Sequence, residues 1–207
     1  NPTGVAYSRE TMVQVADWCH ENNVIFIVDE AFYDFVNPFD SLGTEVGKYA
    51  NVVVLRSLTK MFAIPGLRLG YAVGHPSIIE QLAAFQPHWS VNGIALKAGE
   101  LCLEEENFVS DTISYVKNER NRLFSFFENG DFEYSPSVVN FYLLQDKKNK
   151  DLYSLFQFLL KKGIVPRHTM NFPSLDGKWL RFAVKKEEEN SRLMEVLVEW
   201  RRLHSSL

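Results

Sequence analysis

The segment Val24-Ile25-Phe26-Ile27-Val28, an unbroken apolar run ending in Asp29-Glu30, constrains the fold more than any other feature of the sequence. It has the length of a strand. A continuous apolar strand, without polar alternation, is the pattern of a parallel sheet covered on both faces. Val52 to Leu55 repeats the pattern, and Leu69 to Val73, closed by Gly74, gives a third strand. Helical segments lie between them. Ser8 is a good N-cap with Glu10 in the first turn, and Met12, Val15, Ala16 and Cys19 recur at helical spacing. Pro76 opens a helix reaching about Phe85. Strands separated by helices predict an α/β layered domain with right-handed crossovers.

A further helix is expected from Val91 to about Leu103, and a longer one from about Asn107 to Glu128. Val109, Ile113, Val116, Leu123 and Phe127 share one face of the longer helix, and Asn129-Gly130 stops it. Beyond it the rhythm changes. Strand Val138–Leu144 is followed by helix Asp151–Lys162 closed by Gly163, strands Ile164–Arg167 and Trp179–Val184, and helix Glu187–Leu203. This predicts a smaller α+β domain. The boundary falls inside the long helix, giving domains over residues 1–115 and 116–207. Lys147-Lys148-Asn149-Lys150 reads as a solvated loop.

The 207 residues are 46% hydrophobic and 23% charged, enough for a sizeable core and inconsistent with a disordered chain. Twenty-two basic against 26 acidic residues leave a net charge of −4, which argues against a broadly basic nucleic-acid binder but leaves room for a local basic pocket. No apolar run approaches the roughly 18–20 residues needed to span a bilayer, and no secretory signal is read. Cys19 and Cys102 lie in helical patterns and make no disulfide framework, so they are expected to be buried free thiols of a cytoplasmic protein. His20, His75, His88, His168 and His204 show no metal-ligand spacing, and no metal is expected. The sequence opens on Asn1-Pro2-Thr3-Gly4, a turn without an initiating Met, and reads as though cut from something longer.

Asp29 stands at the carboxyl end of a buried strand, where open α/β sheets bind their ligands. A carboxylate there is costly unless paired. Glu30 beside it reads as structural. Ser57-Leu58-Thr59-Lys60 follows the second strand. A Lys behind two hydroxyls suits a phosphate binder, a Schiff-base former or plain surface. Its apolar surroundings, continuing through Met61-Phe62-Ala63-Ile64-Pro65-Gly66-Leu67-Arg68-Leu69-Gly70, predict that Lys60 is partly buried, which would favour a nucleophilic free amine. Arg68, eight residues on, offers a guanidinium suited to phosphate or carboxylate.

Asn1-Pro2-Thr3-Gly4, Val28-Asp29-Glu30-Ala31-Phe32, Ser57-Leu58-Thr59-Lys60 and Arg68, in this order and spacing, resemble the fold-type I pyridoxal-phosphate enzymes, the class I/II aminotransferases. The resemblance covers the whole chain and matches the C-terminal portion of a typical member. It implies an aspartate-aminotransferase-like α/β fold: part of the large-domain sheet and a small C-terminal α+β domain. It also implies pyridoxal 5′-phosphate as cofactor, a small amino-acid substrate, a homodimer, and neither a nucleic-acid nor a membrane partner. Lys60 would condense with the cofactor aldehyde and later shuttle a proton, and Asp29 would keep the pyridine nitrogen protonated. Asn1 would bond the phenolic oxygen, and Ser57, Thr59 and Arg68 the phosphate. Arg181 would clamp the substrate carboxylate, Arg167 would meet its phosphate or carboxylate, and Asn140 is a further substrate contact. By the same resemblance, an upstream segment would supply a phosphate loop, an aromatic ring and a Tyr reaching across the dimer.

Two subgroups compete. Leu55–Tyr71, Trp89-Ser90-Val91-Asn92 and Asn171-Phe172-Pro173-Ser174-Leu175-Asp176 look closer to threonine-phosphate decarboxylases than to histidinol-phosphate aminotransferases. Position 32 agrees: most aminotransferases of the family carry Tyr there, and this chain has Phe32 with Tyr33 beside it. On a strand, neighbours face opposite ways, so Tyr33 is not expected to substitute. Decarboxylation or transamination depends on which Cα bond stands perpendicular to the cofactor ring, hence on where Arg181 and Arg167 hold the substrate. A third reading, a cofactor-binding sensor domain of a transcription regulator, needs a fused DNA-binding segment.

Overall fold

The structure, a computed structural model, describes residues 1–36, 41–149 and 151–204. Lys150 of the expected solvated loop lies outside the described residues. The chain divides into two compact units, one over Tyr7–Ile113 and the other combining Asn1–Ala6 with Ser114–Leu207.

In the first unit, helix α1 (Arg9–Glu21) starts where the Ser8 hydroxyl accepts the Thr11 amide at 3.2 Å. Strands β1 (Phe26–Asp29) and β2 (Val52–Ser57) pair in parallel, with Val28 opposite Val54 and Asp29 opposite Leu55. Strand alternation then sorts their side chains. Phe26, Val28, Val52 and Val54 pack with Ala16 and Leu42 in one cluster. Ile27, Asp29, Leu55 and Ser57 share the other face, and there Ile27 is 61% exposed. Val53 lies on that face too and is buried, so the second face is packed at Val53 and open at Ile27 and Leu55. The short helix α2 (Leu58–Met61) leads toward β3 (Gly70–Gly74), which runs antiparallel to β2. This corrects the expectation of crossovers throughout: a hydrophobic run carries no direction, and the segment 58–69, with α2 and a 3₁₀ turn over Pro65–Leu67, returns the chain antiparallel to β2. Helices α3 (Pro76–Ala84) and α4 (Gly93–Leu103) follow. The Asn92 side chain caps α4 by accepting the Ala95 amide at 2.8 Å.

Helix α5 (Glu106–Asn129) continues past Ile113 into the second unit. There β4 (Phe132–Tyr134), β5 (Phe141–Asp146), β7 (Leu180–Ala183) and β6 (Arg167–His168) form an antiparallel sheet in the order β4-β5-β7-β6. Helices α6 (Leu152–Lys161) and α7 (Glu187–His204) complete the unit. Its core is larger, with Leu123, Phe127, Phe132, Tyr142, Leu155, Leu197 and Trp200 essentially excluded from solvent. The amino-terminal residues are tied into this unit: Val138 donates its amide to the Gly4 carbonyl at 2.9 Å, and Ser135 its hydroxyl to the Thr3 carbonyl at 2.7 Å. Gly4 has φ +76° and lies so close to Ser137 that a Cβ would meet the Ser137 hydroxyl at 2.2 Å, so only glycine fits there. Among the described residues no helix is long and apolar enough to cross a membrane.

Candidate active site

The first unit carries five of the residues singled out from sequence. Asp29 ends β1 on the open face of the sheet, and its carboxylate accepts the Ala31 amide at 2.9 Å. Among the described residues it has no ion-pair partner. Ser57 ends β2 on the same face. Its hydroxyl lies 2.8 Å from that of Thr59, which is buried in the first turn of α2. Lys60 sits one residue further along α2, whose Leu58 and Met61 are buried. The expected burial of Lys60 is not found: a one-turn helix seats Leu58, Thr59 and Met61 inward and leaves Lys60 exposed. Its ammonium stands 5.6 Å from the centroid of the Phe32 ring, within cation–π range.

Phe32 is therefore the residue on the Lys60 side. Tyr33 lies against Arg56, whose guanidinium carbon is 3.4 Å from the Tyr33 ring centroid. Tyr33 does not take the place of a Tyr at position 32. The reason is a 3₁₀ turn over Tyr33–Phe35, not the strand alternation expected from sequence.

Arg68 follows a 3₁₀ turn over Pro65–Leu67 and has a left-handed backbone with φ +51°. For a residue other than glycine this costs about 1–2 kcal/mol, and such strain gathers at ligand-holding positions. Its guanidinium gives one hydrogen bond to the Pro65 carbonyl at 2.9 Å and is otherwise exposed. The first unit thus carries a carboxylate at the end of β1, two adjoining hydroxyls and a primary amine at the end of β2 and in α2, and a guanidinium after the 3₁₀ turn that follows. That donor set fits a phosphorylated carbonyl compound bearing a basic ring nitrogen. The hydroxyls and guanidinium suit the phosphate, and the amine suits the carbonyl.

The second unit carries the other four. Asn1 accepts a hydrogen bond through its side-chain oxygen from Arg181 at 3.0 Å. Arg181 also lies over the Phe141 ring, 4.6 Å from its centroid. Arg167 on β6 pairs directly with Arg181 on β7, so the two guanidiniums share one face of the sheet. Burial, and then the neighbouring Arg167 charge, lower the Arg181 pKa from its ordinary value. Arg167 donates to the Asn171 side chain at 3.2 Å. Neither arginine has an acidic partner among the described residues. Asn140 stands just before β5, and its side-chain oxygen is buried without a hydrogen-bond partner. Arg120 holds this segment from α5: nine-tenths buried, it donates to the Val139 carbonyl at 2.9 Å.

The family model described as aminotransferase class I and II matches residues 1–197. The chain belongs to this family. Among relatives of this aminotransferase-family chain, threonine-phosphate decarboxylase of Salmonella typhimurium is 33% identical over 200 residues, 95% of the chain and 54% of the relative. Histidinol-phosphate aminotransferase of Symbiobacterium thermophilum is 31% identical over 198 residues, 95% of the chain and 53% of the relative. Among solved structures, histidinol-phosphate aminotransferase from Clostridium acetobutylicum superposes with a TM-score of 0.92 at 30% identity, over 98% of the chain and 62% of that protein. The chain thus spans about half the length of the curated relatives it matches. The fold expected from the sequence is the one found.

Sequence reading does not single out Arg56 or Ser41, which share a buried network with Glu30. The signal available for Arg56 is a charge inside an otherwise apolar strand, one residue before Ser57.

Proposed function

We propose that this chain is the carboxyl-terminal part of a pyridoxal 5′-phosphate enzyme that acts at Cα of a small phosphorylated amino acid, a threonine-phosphate decarboxylase in type. The observation that carries the substrate class is the pairing of Arg167 with Arg181. Like charges directly opposite on neighbouring strands repel. Two such guanidiniums with no acidic partner among the described residues are stabilised by a ligand bearing two anionic groups, here a carboxylate and a phosphate.

The chain's own residues divide the work. Lys60 would offer the amine for the cofactor carbonyl, and its Nζ would move the proton at the substrate Cα. Asp29 holds a proton on the pyridine nitrogen. Ser57, Thr59 and Arg68 bind the phosphate, and the left-handed Arg68 backbone commits that side chain to one approach. Asn1 holds the phenolic oxygen while orienting Arg181. Asn140 offers its unpartnered oxygen to a substrate donor. Bound to these groups, the cofactor supplies an electron sink for the charge left at Cα. Arg181 and Arg167 choose the outcome by fixing where the carboxylate is held. We further propose a homodimeric, cytoplasmic enzyme.

The decarboxylase reading draws on Phe32, whose ring lies beside Lys60 and carries no hydroxyl, and on the Salmonella relative. A histidinol-phosphate aminotransferase is the second reading, favoured by the Clostridium structure. The full-length protein, supplied with cofactor, is given L-threonine phosphate or L-histidinol phosphate with 2-oxoglutarate. Carbon dioxide from the first without glutamate from the second is the expected result. Glutamate alone establishes the second reading, and neither product overturns both.

A further inference from the structure

The face of the β1–β2 sheet turned away from Asp29 and Ser57 ends in an ion pair. Phe26 and Val28 alternate onto that face from β1, with Glu30 the residue that follows the strand, and Val52, Val54 and Arg56 from β2. The ladder is apolar up to Val28 and Val54, both buried, and then becomes Glu30 and Arg56. Glu30 is 6% exposed. Its carboxylate accepts from Arg56 Nε at 2.7 Å, from the Ser41 hydroxyl at 2.7 Å and from the Leu42 amide at 3.3 Å. Arg56 also donates to the Ser41 oxygen at 2.8 Å while stacking on Tyr33. The Ser41 oxygen further accepts the Gly43 amide at 2.8 Å.

A buried ion pair is a poor device for stability, because desolvation offsets most of its attraction and an apolar pair of similar volume does as well or better. What it adds is direction: a charge-assisted, multiply bonded pair admits one register where two aliphatic side chains admit many. Glu30 directly follows Asp29 in the chain, and Arg56 directly precedes Ser57. Through the backbone, whatever fixes Glu30 against Arg56 also fixes Asp29 against the turn bearing Ser57, Thr59 and Lys60.

We infer that Glu30, Ser41 and Arg56 form a positioning lock on the far face of the sheet, setting the end of β1 that carries Asp29 and the start of α2 that carries Lys60. None of the three is a catalytic residue; each acts through the backbone. The inference rests on the proposed roles of Asp29 and Lys60.

The test uses the full chain with the paired substitution Glu30→Leu/Arg56→Met, which continues the apolar ladder, and with the conservative Arg56→Lys. Three readouts are compared with the parent: amide hydrogen exchange, the acetylation rate of Lys60 relative to Lys48 and Lys97, and the dissociation constant for pyridoxal 5′-phosphate by absorbance. In the paired variant, exchange at residues 30–31 and 57–60 is expected to quicken at least tenfold while Val52–Val54 stay within twofold. The relative acetylation rate of Lys60 is expected to change at least threefold, and cofactor affinity to fall at least tenfold. Arg56→Lys is expected to recover part of each. Strand-end exchange and Lys60 labelling within twofold of the parent overturn the lock. So does uniform quickening across β2, which marks a general loss of stability. If the parent takes up no cofactor, the proposed function fails, and exchange and labelling alone decide the lock.

Discussion

Tyr142 carries a hydroxyl with no hydrogen-bond partner, in a residue wholly withdrawn from solvent. Its ring stacks on Phe182 and meets Phe124 and Phe127, and burial pushes the phenol far above its ordinary pKa. An unanswered buried hydroxyl costs about 1–3 kcal/mol. Tyr142→Phe keeps every ring contact, so urea denaturation is expected to show unchanged stability or a gain of up to about 1 kcal/mol; a loss contradicts this. Asp146 is the opposite case. Burial pushes its carboxyl up, but the Trp200 indole, the Asn149 and Lys148 amides and Arg201 outweigh that and hold it below the usual carboxylate range. A carboxylate depressed in the fold contributes fully above its unfolded pKa, near 3.9, and loses that contribution as the pH falls through the lower folded value. Asp146→Asn is therefore expected to cost about 3 kcal/mol at pH 7, with the gap to the parent narrowing at pH 3. At this scale the sequence displays chemistry better than surroundings. It marks Lys60 and Arg68 as candidates and Glu30 as structural. It does not show that Lys60 is exposed or that Tyr33 turns to Arg56, because both follow from short turns that carry no periodicity.

Among the elements, the β2–β3 pair holds the site most directly, since Gly70 is the partner of Ser57. A Cβ on Gly70 would lie 2.6 Å from the Arg56 carbonyl oxygen, and backbone cannot move aside as a side chain can. Gly70→Ala is expected to destabilise by roughly 1–3 kcal/mol and to speed amide exchange in Tyr71–Val73; an unchanged denaturation midpoint contradicts this. The long, capped elements were legible: the Ser8 cap, the apolar face of α5 and the strands β1 and β2 stand where the sequence puts them to within a few residues. Strand β4 was not legible, because Phe132–Tyr134 is too short to show alternation. The stretch read as strand Ile164–Arg167 pairs only at Arg167–His168, because the segment before it turns after α6.

For the whole molecule, the contrast lies in how each unit is buried. Among the described residues, the second unit centres on an aromatic-rich cluster, whereas the first shows smaller ones around Ala16, Val28 and Val54 and around Leu58, Leu69 and Ala95. The first unit also leaves Phe85 and Trp89 at 86% and 96% exposure. Local stability follows buried apolar contact. Amides of β5 and α7 are accordingly expected to exchange more slowly than those of β1 and β3; equal protection contradicts this. The arrangement of chemistry is decided by a simpler trial. The full chain is mixed with pyridoxal 5′-phosphate, reduced with borohydride and mapped by mass spectrometry. The reduced pyridoxyl group is expected on Lys60 and to vanish in Lys60→Ala; label spread over the other lysines, or missing from Lys60, contradicts the assignment of this amine.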